Sequence, residues 1–91
     1  MSEGYKKYVR HMEKQCGEEP SFVVLAKYGK KDEAIERILK NAGQVLFDED
    51  VLKKVEYKGI TLSLYKTGKM IIHGLEDQEA VITLLNELLA S

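Results

Sequence analysis

Tyr65 and Lys69 bracket the short turn Lys66, Thr67 and Gly68, and this stretch holds more usable chemistry than any other in the chain. An aromatic ring beside an ammonium group can stack on a nucleobase and contact a phosphate. The same pair can also be a cross-strand contact in which the lysine stem packs on the ring. On the residues alone both readings stay open. Other reactive types are sparse. His11 and Cys16 are five positions apart, so they do not stack on a helix face, and two ligands do not complete a zinc site. Cys16 reads as a small buried hydrophobe, not a nucleophile. Asp48, Glu49 and Asp50 place three carboxylates in one turn. They lack the alternating spacing, central glycine and later glutamate of a calcium loop, so they read as a solvated turn. His73, beside Gly74, reads as a packing or surface residue. No glycine-rich phosphate loop, nucleophile elbow or metalloprotease spacing is present. The expectation is a binding module, not an enzyme, with no catalytic residue, cofactor or metal.

The element that positions Tyr65 and Lys69 is a β-hairpin running from Leu62 to Gly74. Gly68 can take the positive φ that closes a three-residue loop. That loop pairs Tyr65 with Lys69, Leu64 with Met70, Ser63 with Ile71, Leu62 with Ile72 and Thr61 with His73. One face then carries only Ile60, Leu62, Leu64, Met70 and Ile72. The other carries Thr61, Ser63, Tyr65, Lys69, Ile71 and His73. A two-residue loop of Thr67 and Gly68 would leave polar groups on both faces, so the burial pattern favours the longer loop.

Composition narrows the class. A chain of 91 residues with 44% apolar and 32% charged residues is an ordinary globular domain, expected to form one unit over residues 1–91. The longest uninterrupted apolar run, Phe22 to Ala26, is far short of a membrane span, so no membrane partner is expected. A single cysteine allows no internal disulfide and suits a reducing, cytoplasmic interior. The net charge of −1 removes the simplest case for nucleic-acid binding. The distribution is less even. Val51 to Lys69 carries Lys53, Lys54, Lys58, Lys66 and Lys69 against Glu56 alone, while Met70 to Ser91 carries Glu76, Asp77, Glu79 and Glu87 with no cation. A basic sheet region beside an acidic helix would give the domain polarity.

Along the chain, Tyr5, Tyr8, Val9, Met12 and Cys16 recur at helical spacing and predict an amphipathic helix over residues 1–16, ended by Gly17 to Pro20. Ser21 to Tyr28 reads as a strand whose consecutive apolar residues imply burial on both faces. A helix from Lys31 to Ala42 follows, with Ala34, Ile35, Ile38 and Leu39 as its buried stripe and Gly43 as its stop. Gln44 to Phe47 is a short strand. Val51 to Tyr57 fits either a strand or a helical turn. After the hairpin, Asp77 opens a last helix with the stripe Val81, Leu84, Leu85 and Leu88. The sum is a two-layer α+β domain, an antiparallel sheet with helices on one face. The opposite face is open, shielded by the N-terminal helix, or occupied by a partner.

The hairpin Leu62 to Gly74, followed by an acidic helix start, resembles one repeat of the TATA-binding-protein fold. The same half-fold forms the N-terminal domain of type-three bacterial ribonuclease H, where it serves substrate binding. The upstream strand and helix are similarly placed, so the resemblance spans residues 21–91. It implies that Tyr65 stands where the family places an aromatic that wedges between base steps. Ser63, Thr67, Lys69, Ile71 and His73 fall at its other DNA-facing positions. The chain holds one repeat, so a two-repeat saddle would require a homodimer. Two classes of partner follow: nucleic acid on the open face, or a protein or second copy on that same face.

Overall fold

The chain is described by a computed structural model covering residues 4–15 and 19–89. In order come a 3-10 turn (Gly4–Lys7), strands β1 (Val9–Gln15) and β2 (Ser21–Ala26), a second 3-10 turn (Tyr28–Lys30) and helix α1 (Lys31–Asn41). Strands β3 (Gln44–Asp48), β4 (Leu52–Tyr57), β5 (Ile60–Tyr65) and β6 (Lys69–His73) then lead to helix α2 (Gln78–Leu89). All six strands form one antiparallel sheet in the order β1-β2-β6-β5-β4-β3.

The β5–β6 register is the one the burial pattern demands. Leu64 faces Met70, Ser63 faces Ile71, Leu62 faces Ile72 and Thr61 faces His73. Gly68 has φ +99° and its N–H donates to the Tyr65 carbonyl at 2.9 Å, closing the loop of three residues. The Gly68 carbonyl in turn accepts from the Ala26 N–H at 2.9 Å, tying the turn to β2. Strand β2 then lies on β6 with Phe22 opposite Ile72 and Val24 opposite Met70. These side chains, with Val55 of β4, make one continuous buried face. Ala34 and Ile38 of α1 and Val81, Leu84, Leu85, Leu88 and Leu89 of α2 pack into the same core. Side-chain bonds from α1 reach the last carbonyls of α2: Asn41 Nδ2 donates to Leu88 O at 2.8 Å and Arg37 Nη1 to Leu89 O at 3.4 Å. Those carbonyls have no partner within α2 itself.

Several expectations are corrected. The segment expected as an N-terminal helix is a single 3-10 turn followed by strand β1. The apolar residues recur at intervals of three for two separate reasons. Tyr5 and Tyr8 span the 3-10 turn, with Tyr8 N–H on the Tyr5 carbonyl at 3.0 Å. Val9 and Met12 pair with Ala26 and Val24 on the helix-covered face, and a register shift between Val9 and His11 spaces them three apart instead of two. Met1, Cys16 and Gly17 lie outside the described residues. Strand β2 ends at Ala26 and is buried on alternate residues, so only one of its faces is covered. Leu52–Tyr57 is a strand, not a helical turn, since pairing to both β3 and β5 satisfies its backbone. Helix α1 ends with Ala42 in an extended conformation, its N–H on the Ile38 carbonyl. Gly43 is absent from the positive-φ glycines, so it supplies no left-handed cap.

Tyr8 locks the N-terminal segment to α1. It is 2% exposed, and its hydroxyl donates to Glu33 Oε2 at 2.7 Å. Arg37 sits over the ring at 5.6 Å and pairs with Glu33 at 3.5 Å. The Tyr8 bond holds the Glu33 carboxyl below its usual range, helped by the Lys30 and Arg37 charges, and pushes the Tyr8 phenol up. A carboxylate lowered in the folded state contributes stability above its unfolded pKa and loses it as pH falls through the folded value. Replacing Tyr8→Phe removes the largest cause of the shift. The urea midpoint of the variant should therefore fall less steeply than that of the wild type as the pH drops from about 5 to about 3, through and below the ordinary glutamate range. A second expectation concerns the hairpin loop. A Cβ on Gly68 would lie 3.2 Å from Lys31 Cβ in a backbone conformation few side chains adopt. Gly68→Ala should cost ~1–3 kcal/mol, measured by urea unfolding.

Candidate functional site

Both helices lie on one side of the sheet, and no described element covers the other. Antiparallel pairing places directly opposite residues on the same face, so the ladders define what this uncovered face presents. Its central row is Glu13, Val23, Ile71, Ser63, Lys54 and Phe47, one residue from each strand. A second row holds His11, Leu25 and Lys69, then Tyr65 and Leu52. The third holds Gln15, Ser21, His73, Thr61, Glu56 and Gln44. The face mixes the aliphatic side chains of Val23, Leu25, Ile71 and Leu52 and the rings of Tyr65 and Phe47 with hydroxyls or charges in every row.

The expected site residues fall as follows. Ser63, Tyr65, Lys69, Ile71 and His73 share this face. Thr67 does not stand in any row; it is exposed at the tip of the loop. Lys69 Nζ lies 5.9 Å from the Tyr65 ring centroid, so the cross-strand contact is formed. The Tyr65 ring is only partly covered and stays accessible. Ser63 is 4% exposed, the one buried polar side chain among the described residues, hemmed in by its neighbours at the middle of the sheet. It lines the floor and does not project. His73 stands between Ser21 and Thr61, and no hydrogen bond joins it to Ser63. His73 and Ser63 therefore do not form a nucleophile–base pair.

Pairing redistributes the basic segment. Of its five lysines only Lys54 and Lys69 lie on the open face. Lys53 is on the covered side opposite Leu64, where it binds Asp48. Lys58 Nζ donates to Glu87 Oε1 at 2.7 Å, beside the Tyr57 hydroxyl at 2.9 Å. These two bonds lower the Glu87 pKa, the lysine bond most, and the same carboxylate raises that of Lys58. Lys66 is exposed in the loop. Against Lys54 and Lys69 stand Glu13 and Glu56, so the face is charge-balanced. The contributions of β1 and β4 were missed because neither segment was read as a settled strand. The alternation Leu52, Lys54, Glu56 against Lys53, Val55, Tyr57 was the available signal for β4.

In the acidic turn a lysine already occupies one of the three carboxylates. Asp48 is bridged by Lys53, whose Nζ also reaches the Glu49 carbonyl at 3.3 Å. Among the described residues no group of three His, Cys, Asp or Glu side chains converges. Millimolar calcium should accordingly leave the melting temperature unchanged, and a rise of several degrees on adding it would contradict this placement.

Comparison with family models, with curated proteins and with solved structures gives no match for this chain. Its own residues and their geometry are what a functional reading rests on.

Proposed function

We propose that this chain is a non-catalytic binding module that takes up single-stranded nucleic acid on its uncovered sheet face. The observation that carries this reading is the face itself: six strands wide, covered by no described element, with Tyr65 and Phe47 set among Val23, Leu25, Ile71 and Leu52. Exposed rings on a sheet surface are what unpaired bases stack upon, and stacking tolerates any sequence. The resemblance to a TATA-binding-protein repeat supports it, since β2, α1, the hairpin and α2 stand in the order that resemblance implies. Strand β1 is an addition to that layout. It occupies the edge of β2, so two copies could share a sheet only through β1 or β3.

Balanced charge on the face sets weak affinity, ~10⁻⁴–10⁻⁶ M at moderate salt. Fluorescence anisotropy with a labelled oligothymidylate at low salt is the direct measurement. Tyr65→Ala should cost ~1–3 kcal/mol of binding, the value of one base–aromatic stack. Lys69→Ala should reduce the salt slope by about 0.7, one phosphate contact on a single strand. No binding by the wild type to single-stranded or duplex nucleic acid would sink the proposal.

A second reading has its own observation. Val45, Leu46, Phe47 and Val51 are 46%, 47%, 42% and 64% exposed, and all lie on or beside the edge strand β3. An apolar edge with unpaired backbone groups is a template for another strand. A second copy pairing there would make the domain a self-association module. Light scattering should then show a dimer that Leu46→Lys converts to a monomer; a monomeric wild type at high concentration excludes this reading.

A further inference from the structure

The cleft between the 3-10 turn Gly4–Lys7, β1 and the start of α2 has a volume of about 590 Å³. Its walls carry Lys6, Arg10, His11 and Lys27, with Tyr5 and Met12 as apolar flooring, and no Asp or Glu lines it. Three full positive charges around one concavity is a marked local excess in a chain of net charge −1. Four cations elsewhere sit against carboxylates: Lys30 and Arg37 on Glu33, Lys53 on Asp48, Lys58 on Glu87. Arg10 and Lys27 have no such partner among the described residues. His11 of the lining lies 3.6 Å from Glu13 Oε1. Arg10 and Lys27 are like charges lining one cleft and repel each other, so their arrangement is stabilised when an anion enters it.

Local backbone geometry brings these side chains together. The register shift between Val9 and His11 takes Arg10 out of the β1–β2 ladder and turns it to the cleft wall. Lys27 N–H donates to the Tyr8 carbonyl at 2.7 Å, fixing the end of β2 against the start of β1. Gln78, the first residue of α2, closes the cleft. His11 belongs to the cleft and to the open face at once. From it the row Leu25, Lys69, Tyr65 crosses three strand spacings, about 14 Å, to the aromatic ring.

We propose that this cleft is a phosphate-binding site that holds the sugar–phosphate backbone of a nucleic-acid strand while its bases lie along the row from Leu25 to Tyr65. It rests on the nucleic-acid reading above and names the anchor that the charge-balanced face lacks. Arg10 offers a planar fork to a phosphate, and Lys6 and Lys27 act as point charges.

The test uses the full chain, the double variant Arg10→Gln/Lys27→Gln, and Lys40→Gln on α1 as a charge control outside the cleft. With labelled oligothymidylate the double variant should lose about tenfold in affinity at low salt and about 1.4 in salt slope, two phosphate contacts. Lys40→Gln should match the wild type. If Tyr65→Ala weakens binding while the double variant keeps wild-type affinity and slope, the cleft is not the anchor, though the face still binds nucleic acid. Inorganic tripolyphosphate, followed through backbone amide shifts, separates the two ideas. It should perturb Tyr5, Arg10, His11 and Lys27 in the wild type and not in the double variant. No perturbation there overturns the phosphate site whatever the oligonucleotide does.

Discussion

Side-chain alternation in the hairpin formed by β5 and β6 is the constraint from which the rest of the molecule follows. With a loop of three residues, Leu62, Leu64, Met70 and Ile72 all fall on one side, and β2 adds Phe22, Val24 and Ala26 in register beside them. Burial of an aliphatic side chain of this size contributes about 1.5–3 kcal/mol. A slip of one residue would turn the whole set outward, so competing registers are strongly disfavoured. Both helices are then drawn to the same side, because that is where the apolar surface lies. The other face is what the core leaves over, and the candidate binding surface exists because no described element remains to cover it.

That much was legible from residue order. The loop length, the two faces of the hairpin and the stripes of α1 and α2 follow from local alternation and helical period, and each element is long enough to declare its period. The N-terminal segment was not. Its apolar spacing of three to four is helical in appearance, yet it arises from a 3-10 turn joined to a strand with an irregular register. A bulge converts the strand period of two into an interval of three, which no single-segment pattern distinguishes from a helix. Strand β2 misled differently. Its unbroken run Phe22 to Ala26 suggested two covered faces, whereas Val23 and Leu25 lie on the open one.

The charge pattern shows what linear counting omits. Five lysines within Val51 to Lys69 suggested a basic sheet, but alternation sends Lys53 to the covered side and the β4–β5 turn sends Lys58 to Glu87 on α2. Two of the five are thereby paired with carboxylates. Meanwhile Lys6, Arg10 and Lys27 come from a turn, a bulge and a strand end, so their convergence depends on the very segment whose period was ambiguous. Local sequence sets the side of a strand; only tertiary pairing sets which charges meet.

Strand β1 also makes the two sheet edges unlike. Its exposed side chains are Arg10, His11, Glu13, Lys14 and Gln15, a charged edge that discourages strand addition. The edge at β3 carries Val45, Leu46 and Phe47 in succession. One edge of the sheet is thus charged and the other apolar. One side chain, Phe47, ends the central row of the open face and also belongs to the apolar edge. Pairing of β3 with its counterpart in a second copy would join two open faces into one and leave a cationic cleft at each far end. Association at β3 and uptake of a strand at β1 would then reinforce each other, because a ligand spanning both faces has two anchors and the second engages at high effective concentration.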